Sequence, residues 1–229
     1  MRPGRRADTT GVEVDEVRTL RWRYAGGAVL LAVFGWFAFV RGTRVPLLGW
    51  IDLFVHEAGH VLAIPLPDLG EAVMGSGLQV GMPLLLAGAF LWQQRDWLGA
   101  VVCLGWAATS LQDASVYIAD APFLDLPLIG GTHDWNAILL ALDRLWMAEG
   151  LARAVWALGL VLWTAAVAGC LTGPRVDALV RAGRWPRWPL LPLPTPVVVP
   201  PPSWPEVMPS ADGPDTPPDG GFFTTPSRG

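Results

Sequence analysis

The stretch PLLGWIDLFVHEAGHVLAI, residues 46–64, combines a long apolar run with two histidines and a glutamate. Its length, about 28 Å at 1.5 Å per residue, predicts one helix that crosses a bilayer core. Proline suits the first turn of such a helix, and the Pro-Leu-Pro that follows residue 64 is expected to end it. His56 and His60 lie four residues apart and therefore on the same face.

His56-Glu57-Ala58-Gly59-His60 is the HExxH pattern of zinc metalloproteases. Two neutral imidazoles so placed can bind one zinc ion, and Glu57 can act as the base on a zinc-bound water. Ionisable groups are costly inside a membrane and mostly mark function there. The alternative is a helix with two packed histidines and a buried glutamate that pairs with a neighbour. We predict a zinc site with His56 and His60 as ligands and Glu57 as the catalytic residue.

The composition indicates an integral membrane protein. Of the 229 residues, 52% are hydrophobic and 16% are charged, and the mean hydropathy is +0.39. The net charge of −4 gives no indication of a nucleic-acid partner. Cys103 and Cys170 lie in apolar runs and lack the spacing of a disulfide framework or a metal site. We therefore predict an all-α, polytopic transmembrane helix bundle in the lipid bilayer, with a bacterial plasma membrane as the expected location.

The chain is expected to divide into three parts. Residues 1–23 are arginine-rich and are predicted to be cytoplasmic. Residues 24–172 are predicted to be the transmembrane helical domain, with five long apolar stretches. An amphipathic helix at residues 136–147 would be a sixth membrane element, since arginines after the last span also favour a cytoplasmic end. Residues 173–229 hold fifteen of the 22 prolines and predict a disordered tail, either solvated or docked on a partner protein.

Residues 68–82 are rich in glycine and predict a loop between spans. The alternative is a re-entrant or extended segment beside the site. An exposed strand edge there could hold a substrate strand by main-chain hydrogen bonds.

A zinc protease site needs three protein ligands and an open position for water. The first choice for the third ligand is His133, the only histidine outside residues 56–60. Asp120 is its main competitor. Asp134 is expected to cap the helix that begins near Trp135.

Three acidic residues are candidates for the lining of the site. Asp113 and Asp120 share a helix face with Tyr117 and are expected to face a wet cavity, or else to be interfacial if the helix ends early. Asp52 lies four residues before His56 and would orient its imidazole. The alternative for Asp52 is a solvated carboxylate near the helix start.

Within a membrane helix, residues 56–60 resemble the motif of the site-2 protease type of intramembrane zinc metalloprotease. The resemblance covers little beyond that helix. In that family the third ligand is an aspartate in a Leu-Asp-Gly motif on a later span, to which Asp120-Ala121-Pro122 is an approximate match. The motif and the resemblance together imply hydrolysis of peptide bonds in membrane or membrane-associated proteins. Glu57 would assist the attack of a zinc-bound water.

Two other functions stay open at this point. One is a non-catalytic metal-binding membrane protein, an inactive protease relative that binds client helices. The other is a small ion-coupled transporter in which Asp52, Asp113 and Asp120 relay ions. Glu57 favours hydrolysis, because a bystander metal site would not need a carboxylate next to the first histidine. Transporters also tend to show internal repeats, and this sequence shows none.

Overall fold

The computed structural model describes residues 9–128 and 132–181, which form helices and turns but no strand. The predicted all-α class is thus confirmed for these residues. The six α-helices are α1 Thr9–Gly35, α2 Leu48–Ala63, α3 Asp68–Ala89, α4 Trp97–Asp120, α5 Asp134–Ala141 and α6 Ala148–Arg181. Short π-helical segments follow α1 (Trp36–Val40) and α3 (Phe90–Gln94), and a 3-10 turn at Leu145–Met147 leads into α6. Residues 182–229, most of the predicted tail, lie outside the described residues.

Three of the described helical stretches are long and apolar enough to cross a membrane: Arg18–Val40, Asp68–Gln94 and Leu145–Leu179. This is compatible with an integral membrane protein. Three of the five predicted spans meet this measure, and the stretches that form α2 and α4 do not. The 16 residues of α2 cover about 24 Å, short of a hydrocarbon core of about 30 Å. The 24 residues of α4 are enough in length, but buried Thr, Ser and Gln side chains lower its hydropathy.

The glycine-rich residues 68–82 are helical, so their prediction as a loop or an extended segment is wrong. They belong to α3, which follows Pro67 and carries Asp68 and Glu71 in its first turn, where carboxylates interact favourably with the helix dipole. Glycine inside a helix costs about 1 kcal/mol relative to alanine. Packing offsets this cost, since α2 and α3 lie in close contact and glycine lets two backbones approach.

The apolar core lies between α1, α4 and α6. The central helix α4 packs against α1 and α6, and also against α3. Small residues allow the close approach of α4 and α6: a Cβ added at Gly159 would lie 2.9 Å from the carbonyl oxygen of Ala108. The Nε1 group of Trp163 donates a hydrogen bond to the carbonyl of Leu31 (2.9 Å), which joins α6 to α1. The face of α4 that points toward α2 and α3 is left for polar side chains.

Two predicted boundaries near the end of the domain are also corrected. The helix predicted at residues 136–147 is only the eight-residue α5, because Asp143 takes a left-handed conformation (φ 53°) that ends it. The last helix runs past Gly173 and through Pro174 to Arg181, so residues 173–181 are not part of a tail. Packing supports this extension, since Gly173 lets the ring of Tyr24 lie directly against α6.

Candidate metal site

Three side-chain atoms from two separate parts of the chain meet at one point. His56 Nε2 lies 3.1 Å from His60 Nε2 and 3.0 Å from Asp134 Oδ2. His60 Nε2 lies 3.2 Å from the same carboxylate oxygen. The histidines stand one turn apart on α2, and Asp134 begins α5. Their side chains are 10%, 19% and 12% exposed, so water screens them little.

The other nitrogen of each imidazole faces a hydrogen-bond acceptor. His56 Nδ1 lies 3.2 Å from Gln79 Oε1, and His60 Nδ1 lies 3.0 Å from the carbonyl oxygen of Glu71. A carbonyl oxygen can only accept, so each Nδ1 carries the proton and donates it. In a neutral imidazole Nε2 then holds a lone pair. Two nitrogen lone pairs and a carboxylate oxygen therefore converge, and this arrangement favours a cation among them.

The spacing fits a small divalent metal ion. Zinc binds histidine nitrogen and carboxylate oxygen at about 2.0–2.2 Å, and tetrahedral ligand atoms at that distance lie about 3.3 Å apart. The three atoms here are separated by 3.0, 3.1 and 3.2 Å. His56, His60 and Asp134 could therefore hold one metal ion. Three protein ligands would leave a tetrahedral ion one position for water or substrate.

Two glycines allow the close packing of α2 and α3 around these side chains. A Cβ added at Gly59 of α2 would run into the carbonyl oxygen of Met74 on α3. A Cβ added at Gly75 would lie 2.5 Å from His60 Nε2 and 2.8 Å from His56 Nε2, closer than real Cβ atoms approach any neighbour. Only glycine at position 75 therefore leaves room for the two imidazoles in this geometry.

Glu57 lines the same cavity as the three converging side chains. The cavity has a volume of about 760 Å³ and is bounded by α2, α3, α4 and the segment before α5. Its walls also include the side chains of Arg44, Asp113 and Tyr117. A carboxylate that faces a cavity beside a metal site can exchange a proton with water bound there. Glu57 therefore lies in the wall of the cavity that His56, His60 and Asp134 also line.

In the structure Asp134, and not His133, lies beside His56 and His60. His133 is the N-cap of α5, and its Nδ1 accepts a hydrogen bond from the Asn136 backbone (3.2 Å). Its Nε2 lies 3.3 Å from Asp120 Oδ2, off the direction of a hydrogen bond. Neither His133 nor Asp120 is among the residues that converge with His56. His133 has an extended backbone (φ −99°, ψ 106°), and it is the side chain of Asp134, the first residue of α5, that reaches the histidines.

Asp134 is held in place by contacts to two other helices. Its backbone N–H donates to the hydroxyl of Tyr117 on α4 (3.1 Å), and that hydroxyl lies 3.4 Å from its carboxylate. The next residue, Trp135, donates from Nε1 to Ser76 Oγ on α3 (3.0 Å). Asp134 thus meets the histidines because α5 is docked on α3 and α4.

Asp52 has partners other than the predicted His56, whereas Asp113 lies where it was predicted. Asp52, 4% exposed, accepts hydrogen bonds from Trp106 Nε1 (2.7 Å) and Ser110 Oγ (3.0 Å). It therefore ties α2 to α4 and does not orient His56. Asp113 faces the cavity, as predicted, and accepts a hydrogen bond from Gln79 Nε2 (3.0 Å).

Gln79, whose side-chain oxygen lies beside His56 Nδ1, was not among the predicted site residues. It lies in the glycine-rich stretch predicted as a loop, and a loop has no regular period from which the direction of a side chain can be predicted. On a helix, Gly75 and Gln79 are four residues apart and share a face, and both are buried. A helical assignment of residues 68–82 would have shown this shared face.

No family model, curated protein or solved structure matches the chain. The resemblance to the site-2 protease type therefore rests on residues 56–60 alone.

Proposed function

We propose that the protein is a membrane-embedded zinc metalloprotease that hydrolyses peptide bonds of membrane or membrane-associated proteins. One observation carries the proposal: the convergence of His56 Nε2, His60 Nε2 and Asp134 Oδ2 within 3.2 Å of one another. Glu57 lines the cavity that opens beside them. Two histidines, one carboxylate and an adjacent glutamate are the groups that zinc peptidases use.

Each residue has a defined part in the proposed reaction. A zinc ion held by His56, His60 and Asp134 would supply Lewis acidity, lowering the pKa of water to about 7 and polarising the scissile carbonyl. Glu57 takes a proton from the attacking water and returns it to the leaving amine as the C–N bond breaks. The proton is therefore conserved, and one water is consumed for each bond cleaved.

The cavity is of a size that suits a short peptide segment. Its volume of about 760 Å³ falls within the range of ligand-binding pockets, about 300–1,000 Å³. A transmembrane substrate must unwind before it enters, because helix hydrogen bonds shield its peptide groups. Extended or already unwound segments are thus the favoured substrates.

The metal site is tested by the zinc content of the full-length protein purified in detergent. We expect about one zinc per chain in the wild type and a large loss in both His56→Ala and Asp134→Ala. Glu149→Ala serves as a control, since this side chain is exposed at the start of α6 and pairs with Arg153. Equal zinc in all four proteins would refute the site.

Catalysis is tested with Glu57→Gln, which keeps the size of the side chain and removes its basicity. We expect this variant to retain zinc and to lose at least about 100-fold in cleavage of fluorophore-quenched casein, since general-base catalysis contributes about 10²–10⁴-fold. A fluorescent peptidyl hydroxamate should still bind it, because that probe needs only zinc with an open position. Unchanged cleavage by Glu57→Gln, measured beside the Glu149→Gln control, would refute the mechanism.

A further inference from the structure

We propose that Gln79 is a positioning residue that fixes the proton of His56 on Nδ1, and that Asp113 and Arg44 hold Gln79 in the required orientation. The inference rests on the metal site of the proposed function. It adds three side chains that the HExxH pattern does not contain, each from a different part of the bundle.

The first step is the contact between Gln79 and His56. The side-chain oxygen of Gln79 lies 3.2 Å from His56 Nδ1. An amide can present either its oxygen or its NH2 group to a neighbour. With the oxygen toward His56, Nδ1 must be protonated, and Nε2 keeps the lone pair that a metal needs. With the NH2 group there, the proton would move to Nε2 and point at His60 and Asp134.

The second step explains why the amide takes the first orientation. The NH2 group of Gln79 donates to Asp113 Oδ2 (3.0 Å). A carboxylate can only accept, so the amide nitrogen must face Asp113 and the amide oxygen must face His56. Both side chains are largely buried, Gln79 at 4% residue exposure and Asp113 at 15% side-chain exposure. Water is therefore a poor substitute for either partner.

The third step is the anchoring of Asp113. Its other oxygen, Oδ1, accepts a hydrogen bond from Arg44 Nε at 2.7 Å. Arg44 lies between α1 and α2 and balances the carboxylate charge with a guanidinium that is 56% exposed. The chain of contacts thus runs from Arg44 through Asp113 and Gln79 to His56.

The two histidines differ in this respect. His60 Nδ1 faces the backbone carbonyl of Glu71, which no substitution of a side chain can remove. The orientation of His56 depends on side chains alone. A substitution at position 79 can therefore alter the availability of the His56 Nε2 lone pair without replacing His56 itself.

The test compares Gln79→Leu, Gln79→Glu and the double variant Gln79→Glu/Asp113→Asn with the wild type. Leucine removes the acceptor for His56 Nδ1. Glutamate restores the acceptor but sets a carboxylate against that of Asp113. In the double variant the introduced amide accepts from Arg44 and donates to the introduced carboxylate, so each contact is satisfied again. Gln112→Leu is the matched control, a buried glutamine of the same cavity wall.

Zn²⁺ affinity of the full-length protein in detergent is measured by competition with a chromophoric chelator. Co²⁺ is added separately to record the absorption of tetrahedral coordination. The thermal unfolding midpoint is measured without metal. We expect Gln79→Leu to bind zinc about 10–100-fold more weakly, the usual effect of losing the hydrogen-bond partner of a metal-bound histidine. Gln79→Glu should also be weakened, and the double variant should return to within about 3-fold of wild type, as coupled partners do.

Four results would overturn the inference. Wild-type affinity in Gln79→Leu would do so, and equal weakening in Gln112→Leu would show a general effect of the cavity wall. Suppose that Gln79→Leu had a lower thermal unfolding midpoint and bound fewer zinc ions per chain, each with wild-type affinity. Gln79 would then have a purely structural role. Failure of the double variant to recover would remove Asp113 from the chain. A wild-type protein that binds no metal would instead refute the proposed function itself.

Discussion

Gly75→Ala adds a single methyl group to the wall of the candidate metal site. The added Cβ would lie 2.5 Å from His60 Nε2 and 2.8 Å from His56 Nε2. An ordinary contact begins at 3.4 Å, so the two nitrogens must retreat by about 0.9 Å and about 0.6 Å. The α3 backbone cannot yield easily, because α2 packs against it at Gly59.

These displacements exceed what a metal site tolerates. Metal–ligand distances are held to about ±0.2 Å, so both imidazoles would leave bonding range together. The loss should exceed that of an outer hydrogen-bond partner, which is about 10–100-fold. We expect zinc affinity to fall by more than about 100-fold, or about 2.7 kcal/mol.

The matched control is Gly77→Ala, two residues along the same helix, where an added Cβ meets nothing within 4 Å. Alanine is the better helix former by about 1 kcal/mol, so this variant should be at least as stable as the wild type and should bind zinc normally. The assay is chelator competition for Zn²⁺ on detergent-purified protein, with thermal unfolding measured in parallel. Normal zinc affinity in Gly75→Ala would refute the site geometry, since the methyl group and the imidazoles cannot share this space.

Two further predictions concern the third ligand and the contact between α2 and α4. Asp134→Ala should lose zinc, whereas His133→Ala should keep it and lose about 1 kcal/mol of stability with the cap to Asn136; zinc analysis and thermal unfolding measure both, and the reverse pattern would make His133 the ligand. Asp52→Ala should lower the unfolding free energy by about 1–3 kcal/mol, because it leaves the indole N–H of the half-buried Trp106 without an acceptor. Thermal unfolding measures this effect. An unchanged midpoint, or a loss of zinc, would contradict the structural role given to Asp52.

The histidine pair was predictable because it depends on local geometry alone. Residues four apart on a helix share a face whatever the rest of the chain does, so His56 and His60 had to point the same way. The number of membrane spans was harder to predict from the sequence. Hydropathy cannot tell a polar residue buried between helices from one in water. The buried Thr109, Ser110 and Gln112 of α4 therefore count against a span although they face the inside.

The residue that completes the group with His56 and His60 was not predictable from local patterns. His133 is the N-cap of α5 and Asp134 is the first residue of that helix, so both lie at the same helix end. Which of them faces the histidines depends on how α5 docks. That docking is set by hydrogen bonds to Tyr117 and Ser76, far away in the sequence. A preference for histidine as a zinc ligand could not replace this information.

The sequence alone determined the helical class, the apolar character that suits a membrane, and the adjacency of His56, Glu57 and His60. These follow from composition and from the 3.6-residue period of one helix. Tertiary structure decided that residues 68–82 are helical, that Asp134 completes the group and that Gln79 contacts His56. Those features depend on residues distant in sequence, whose side chains meet only after separate helices have packed.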